Sequence, residues 1–323
     1  MHRGVFMTAG FRARLFLLGI ALLGGAPLRS AELSEPAPLA ARSLLLGLAR
    51  AGSRLVAVGD RGHVLLSDDE GLSWRQVVVP TRAMLTAVSF PDADHGWAVG
   101  HDGVILVTAD AGQSWQRQDS GTDLETVYLD VLFLNARRGF AVGAYGKFIA
   151  TADGGATWTP AKPAAEEVHY NRLVAAPNGR LFLAGESGTL LVSQDGGQTW
   201  TRSEVPYDGS LFCLVPLDNQ AVVVAGLRGH ILTSFDNGRT WQPCPSETPS
   251  LIMGGTRLLS GVIVLGGQGG SLFVSRDGGT SFVHWKPAES TGSIAALIEA
   301  DAGTLVAVGE NGALRLKIPA AVP

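Results

Sequence analysis

The stretch Gly100-His-Asp-Gly-Val-Ile-Leu-Val-Thr-Ala-Asp-Ala-Gly-Gln-Ser-Trp115 opens on a glycine pair, runs through an apolar segment and closes on a turn centred on Asp110. The same pattern, Gly-x-x-Gly, an apolar run, then Ser/Thr-x-Asp-x-Gly-x-Ser/Thr-Trp, recurs from Gly59 to Trp74, Gly143 to Trp158, Gly185 to Trp200 and Gly226 to Trp241. A sixth copy runs from Gly267 to Phe282, and a seventh glycine pair stands at Gly309 and Gly312. The first glycines are 41, 43, 42, 41, 41 and 42 residues apart. Chance does not hold such a spacing, so one structural unit is repeated seven times.

Each unit contains short apolar or alternating runs with turn residues between them, as in Leu85–Phe90, Gly96–Gly100 and Val104–Thr108. That is strand patterning. Adding the stretch after each Trp gives four strands per unit, the size of a propeller blade. The expected fold is therefore all-β, a seven-bladed β-propeller of four-stranded blades over residues 32–323. Composition agrees. Apolar residues make up 46%, which excludes disorder, and 42 glycines in 323 residues disfavour helices, whose interiors lose about 1 kcal/mol per glycine. The last unit has three strands, Ile294–Glu299, Thr304–Val308 and Ala313–Lys317. The surplus segment Glu32–Ala41 is expected to supply the missing outer strand and close the ring, with Pro36 and Pro38 tolerated at an outer edge.

Residues 1–31 read differently. Arg3, Arg12 and Arg14 precede the apolar run Leu15–Ala26, too short to span a bilayer, and small residues follow. A secretory signal peptide is expected, cut between residues 26 and 31. This segment carries four arginines and no acid, which leaves 21 basic and 29 acidic residues, a formal charge of −8. Nucleic acid is excluded as a partner on that balance. No later run is long enough to insert, so the mature chain is expected to be exported, periplasmic or secreted, and monomeric. Cys213 falls on an inner strand and Cys244 on an outer one, three strand spacings or roughly 14 Å apart, beyond disulfide reach. Free thiols are expected.

In the turn motif Asp69, Asp110, Asp153, Asp195, Asp236 and Asp277 are placed to accept N–H groups of their own turns. The glycine two positions on supplies positive φ, and Trp74, Trp115, Trp158, Trp200, Trp241 and Phe282 pack beside the blades. Calcium is disfavoured because most copies offer one carboxylate, whereas a calcium loop needs several oxygens. This motif resembles the Asp-box, or BNR, repeat of sialidases and other propellers. The pairings of Gly96-Trp-Ala-Val-Gly100 with Thr108–Trp115, and of Gly139-Phe-Ala-Val-Gly143 with Thr151–Trp158, resemble the photosystem II stability and assembly factor family of plants and cyanobacteria. Similar chains also occur in bacteria without photosynthesis. The resemblance implies a non-catalytic seven-bladed lumenal assembly factor that meets a protein partner, possessed of an arginine-rich surface. Arg61 and Arg228, each in Gly-x-Arg-Gly, match that surface, whereas Asp102, Tyr145, Ser187, Gly269 and Asn311 stand at the same position in the other blades.

The glycine-pair turns join the second and third strands, so they share a face with the loops between blades. That face is the candidate partner-binding surface, with Arg61, Arg82, His101, Asp102, Tyr145, Arg172, Glu186 and Arg228, and Asp60, Tyr207 and Glu310 beside them. A sialidase would need three arginines, a tyrosine nucleophile with a glutamate, and an aspartate acid/base. The residue types exist, but no Arg-Ile-Pro segment precedes the first box, so a glycan-binding or glycan-cleaving protein is the alternative. His63 and His230 are equivalent residues of non-adjacent blades and are not expected to share a metal. No catalytic residue, metal or cofactor is expected.

Overall fold

In the computed structural model, residues 32–218, 220–246 and 248–320 are described, together with Met1. The chain divides into two units, Met1–Ala31 and Glu32–Pro323. The expected signal peptide and its cleavage site lie outside the described residues, and the second unit is a seven-bladed β-propeller.

Its blades are antiparallel sheets whose strands follow the chain from the central channel outward. With strands lettered A to D from the channel, blade 1 comprises Leu45–Ala51, Arg54–Gly59, Val64–Ser67 and Arg75–Val77. Blade 2 comprises Leu85–Ser89, Gly96–Gly100, Ile105–Thr108 and Gln116–Gln118. The B strands are buried, apart from Arg54 and Thr304 at the start of those in the first and last blades, as at Gly139–Gly143 and Val222–Gly226, because both faces of each sheet are covered by neighbouring blades. Among the described residues no helix is long and apolar enough to cross a membrane.

Close approach explains both glycines of the repeated pair. A Cβ on the first, as at Gly100 or Gly226, would collide with the carbonyl oxygen just before strand A, Met84 or Ser210. The second has positive φ, +69° at Gly62 and +72° at Gly229, and a Cβ there would strike the carbonyls of Thr81 and Thr248 in the loop between blades.

Each aspartate turn is closed by its own side chains. Asp153 accepts from Thr151 Oγ1 at 2.8 Å, from the Thr157 backbone N–H at 2.9 Å and from Thr157 Oγ1 at 2.7 Å, while Gly155 N–H donates to Thr151 Oγ1 at 2.8 Å. The aromatic that follows fastens the blade to the preceding one. Trp115 of blade 2 lies among Val56, Val64 and Leu66 of blade 1, and Trp241 of blade 5 packs with Phe182 and Val192 of blade 4. The corresponding blade 1 residue, Trp74, packs with Ala296 and Val308 of the last blade.

The ring therefore closes without the expected N-terminal strand. The last blade has three strands, Ile294–Glu299, Thr304–Gly309 and Gly312–Lys317. The segment expected to complete it lies instead along the outer edge of blade 1. Ser34 N–H donates to the Val79 carbonyl at 2.8 Å, and the Gln76 side chain takes the Ala37 N–H at 2.7 Å and donates to the Glu35 carbonyl at 2.9 Å. Pro36 and Pro38 withdraw two alternate donors from one edge, so a side-chain amide, not a backbone ladder, holds this segment. A single 3-10 turn, Ala40–Arg42, then leads into blade 1. At the seam Arg50 makes a two-pronged contact with Glu70, 2.9 and 2.8 Å, and donates to the Glu299 carbonyl at 2.9 Å. Arg315 of the last blade donates to the Glu70 carbonyl and lies 3.1 Å from Asp301.

Cys213 lies on strand A, Leu211–Pro216, and Cys244 on strand D, Gln242–Cys244, of one blade, and both are buried free thiols. Burial pushes the Cys213 thiol up to about 12, so both should resist a thiol reagent at neutral pH and react fully once denatured. Rapid labelling of the native protein would contradict this packing.

The hydroxyl of Thr157, with its N–H and Thr151, holds Asp153 at about 2 against an ordinary 3.8. A carboxylate held low stabilises the fold above its unfolded pKa and loses that contribution as pH falls through the folded one. Thermal melts should therefore show the melting temperature falling between pH 3.8 and about 2, less steeply in Asp153→Asn. Parallel wild-type and variant curves would contradict this assignment.

Candidate functional site

The face opposite the aspartate turns is built from seven tight glycine-pair turns and the loops between blades. In the first six, the residue before the second glycine is left-handed: Arg61 at φ +52°, Asp102 at +57°, Tyr145 at +53°, Ser187 at +52°, Arg228 at +54° and Gly269 at +64°. Non-glycine residues adopt this conformation at a cost, and the turn imposes it because the flanking glycines fix the backbone against the strands. The five side chains at these positions are consequently surface-directed on rigid turns. Tyr145 is 77% exposed, and Leu124, in the loop beside Asp102 and Gly103, is 63% exposed.

Apart from Arg172, the expected residues fall into four groups. At blade 1, Arg61, His63 and Arg82 line a cavity of about 560 Å³ with Asp60 and with Glu35 and Leu39 of the N-terminal segment. Arg82 is tied to that segment, 2.7 Å from Glu35 and donating to the Leu33 carbonyl at 3.0 Å, whereas the Arg61 side chain is 82% exposed and 3.5 Å from Asp60. His63 is buried beside Ser43, with Nδ1 to Oγ 2.8 Å, and desolvation lowers its pKa.

Between blades 3 and 4, Tyr145 meets His169 edge to face at 4.7 Å, and Glu186 lies 3.5 Å from the same imidazole. Between blades 4 and 5, Arg228, His230, Tyr207 and Ser187 line a cavity of about 600 Å³, with the Tyr207 and His230 rings stacked at 4.1 Å. His101 and Asp102 sit on the blade 2 turn, and the His101 N–H is taken by the Met84 carbonyl at 2.9 Å.

Arg172 does not belong with them. It was expected in a loop between blades, but it is the third residue of an inner strand, Tyr170–Ala175, and faces the central channel beside Asp130 at 3.6 Å. The bulge at the second residue of that strand sets which way it points. Sequence reasoning also passed over His169 and Leu124. His169 occupies the place just before strand A held by Met84 and Ser210 in other blades, so the repeat register was the signal for it.

Among the described residues no group of three or more His, Cys, Asp or Glu side chains is arranged to hold a metal ion. The six turn aspartates are on the far face and bonded within their own turns, as in Asp69 to Ser67 and Ser73 or Asp195 to Ser193 and Thr199.

The chain is similar to several known proteins. Over 80 residues the chain is 35% identical to the chloroplastic photosystem II stability/assembly factor HCF136 of Cyanidioschyzon merolae, covering 24% of this chain and 17% of that protein. The match thus spans well under two thirds of the relative's length. A solved structure of YCF48 bound to D1 peptide superposes with a TM-score of 0.71 at 18% identity, covering 89% of this chain and 96% of that one. A GH74 xyloglucanase from Xanthomonas campestris superposes at 0.68 with 16% identity, covering 91% of this chain and 54% of the enzyme. At such identities both likenesses are of fold alone. The model of the photosynthesis system II assembly factor YCF48 family matches residues 66–123 and 118–264, more than half of the chain, and the protein belongs to that family.

Proposed function

We propose that this protein is a non-catalytic, exported assembly factor that binds a segment of a protein partner, one belonging to a membrane complex, on the face formed by the glycine-pair turns. Family membership carries this reading, and a YCF48 structure holding a D1 peptide supports a peptide-like ligand. Physically, the left-handed turns hold Arg61, Asp102, Tyr145 and Arg228 without loop freedom, so little ordering entropy opposes binding. Exposed Tyr145 and Leu124 would supply apolar anchors, with Arg61 and Arg228 as charged contacts at two places on the ring. Residues 1–31 would direct export to the periplasm or lumen and be removed, leaving a monomeric propeller.

Affinity capture from native envelope membranes tests the reading. The wild-type propeller should retain an integral membrane protein, and Arg61→Ala with Arg228→Ala should lower its recovery by about tenfold, equivalent to about 1.4 kcal/mol, with an unchanged melt. Unchanged recovery would sink this surface as the site. Recovery of a glycan, or turnover of a sialoside, would sink the assembly reading itself.

A further inference from the structure

The central channel is lined by charged as well as apolar side chains. Each inner strand carries a bulge at its second residue, and the third residue then turns against the neighbouring blade at the channel wall. At that third position stand Gly47, Ala87, Cys213, Gly254 and Ala296, small residues suited to close blade packing. Two successive blades break the pattern with charged groups, Asp130 and Arg172.

Asp130 is committed to structure. Its carboxylate accepts the Val131 N–H at 3.0 Å and, across the blade boundary, the Leu173 N–H at 2.7 Å, and only 5% of its side chain is exposed. Burial pushes its pKa up, against the attraction of Arg172. Arg172 is not so committed. Its guanidinium comes no nearer than 3.6 Å to Asp130, it donates no hydrogen bond to any described residue, and its side chain is 40% exposed inside the ring. The space it faces is a cavity of about 530 Å³ with Val88, Phe90, Leu132 and Val174 on its wall. The other charged groups lining it, Arg257 and Asp218, pair at 2.5 Å and neutralise each other. A planar cation with five donors and no filled bond, set in a cavity of ligand size whose polar wall also presents these four apolar side chains, is suited to a carboxylate carrying a hydrocarbon body.

We infer that the central cavity binds a small amphipathic carboxylate, its oxygens on the Arg172 guanidinium and its hydrocarbon body against Val88, Phe90, Leu132 and Val174. This inference stands apart from the partner-binding face and does not depend on it.

Calorimetric titration of the protein with 4-phenylbutyrate and with its uncharged amide tests the site. The acid should bind about tenfold or more tighter than the amide, and Arg172→Gln should abolish that preference. The acid-against-amide comparison is made on the wild-type chain, so it stands even if the variant does not fold. Equal affinities, no binding of the acid below about 10 mM, or a preference retained by a folded Arg172→Gln protein would each overturn the inference.

Discussion

A four-stranded sheet with apolar residues on both faces has no stable existence alone, because each face must be covered by another sheet. In this chain that requirement is met around a circle. The buried B strands depend on it, and so do the aromatic residues that close the aspartate turns. Trp115 gains its apolar surroundings only because blade 1 stands beside it, and Trp241 only because blade 4 does. The ring must therefore close for any blade to be fully buried.

Closure falls on the last blade, which has no fourth strand among the described residues. Trp74 repeats there the contact its counterparts make elsewhere, and Arg50, Glu70 and Arg315 tie the edges of the two blades by charge-assisted bonds. A seam of this kind joins inner and middle strands and leaves the outer edge to the N-terminal segment, which lies on blade 1. Placing that segment there has a consequence for the opposite face, since Glu35 and Leu39 become walls of the cavity around Arg61 and His63. The N-terminal segment thus shapes one part of the candidate partner surface without completing the last blade.

Rigid turns on one face and bonded carboxylates on the other divide the labour of the propeller. The aspartates are held ionised by hydroxyls and N–H groups within their own loops, which makes them fasteners and occupies the lone pairs that chemistry would need. The side chains of the left-handed residues do not close their turns in this way. Their side chains vary from blade to blade, Arg, Asp, Tyr, Ser and Arg, while the backbone that carries them does not. Variation of this kind changes what the surface recognises without disturbing the fold.

The repeat made most of the architecture legible in the sequence. Blade number, strand boundaries such as Gly96–Gly100, the opposition of the two turn types and the separation of Cys213 from Cys244 all follow from one period and one alternation, because these are local properties of the chain. The position of Glu32–Ala41 was not legible, because a segment with two prolines finds its partner by side-chain bonds to Gln76, and no pattern encodes that. Arg172 was misplaced for a related reason: a bulge of one residue re-aims a side chain while leaving the strand's composition untouched. Sequence alone thus determined which elements exist and in what order. Only the tertiary structure decided which charges face the channel, which loops meet at a cavity and how the circle is sealed, since those depend on contacts between residues far apart in the chain.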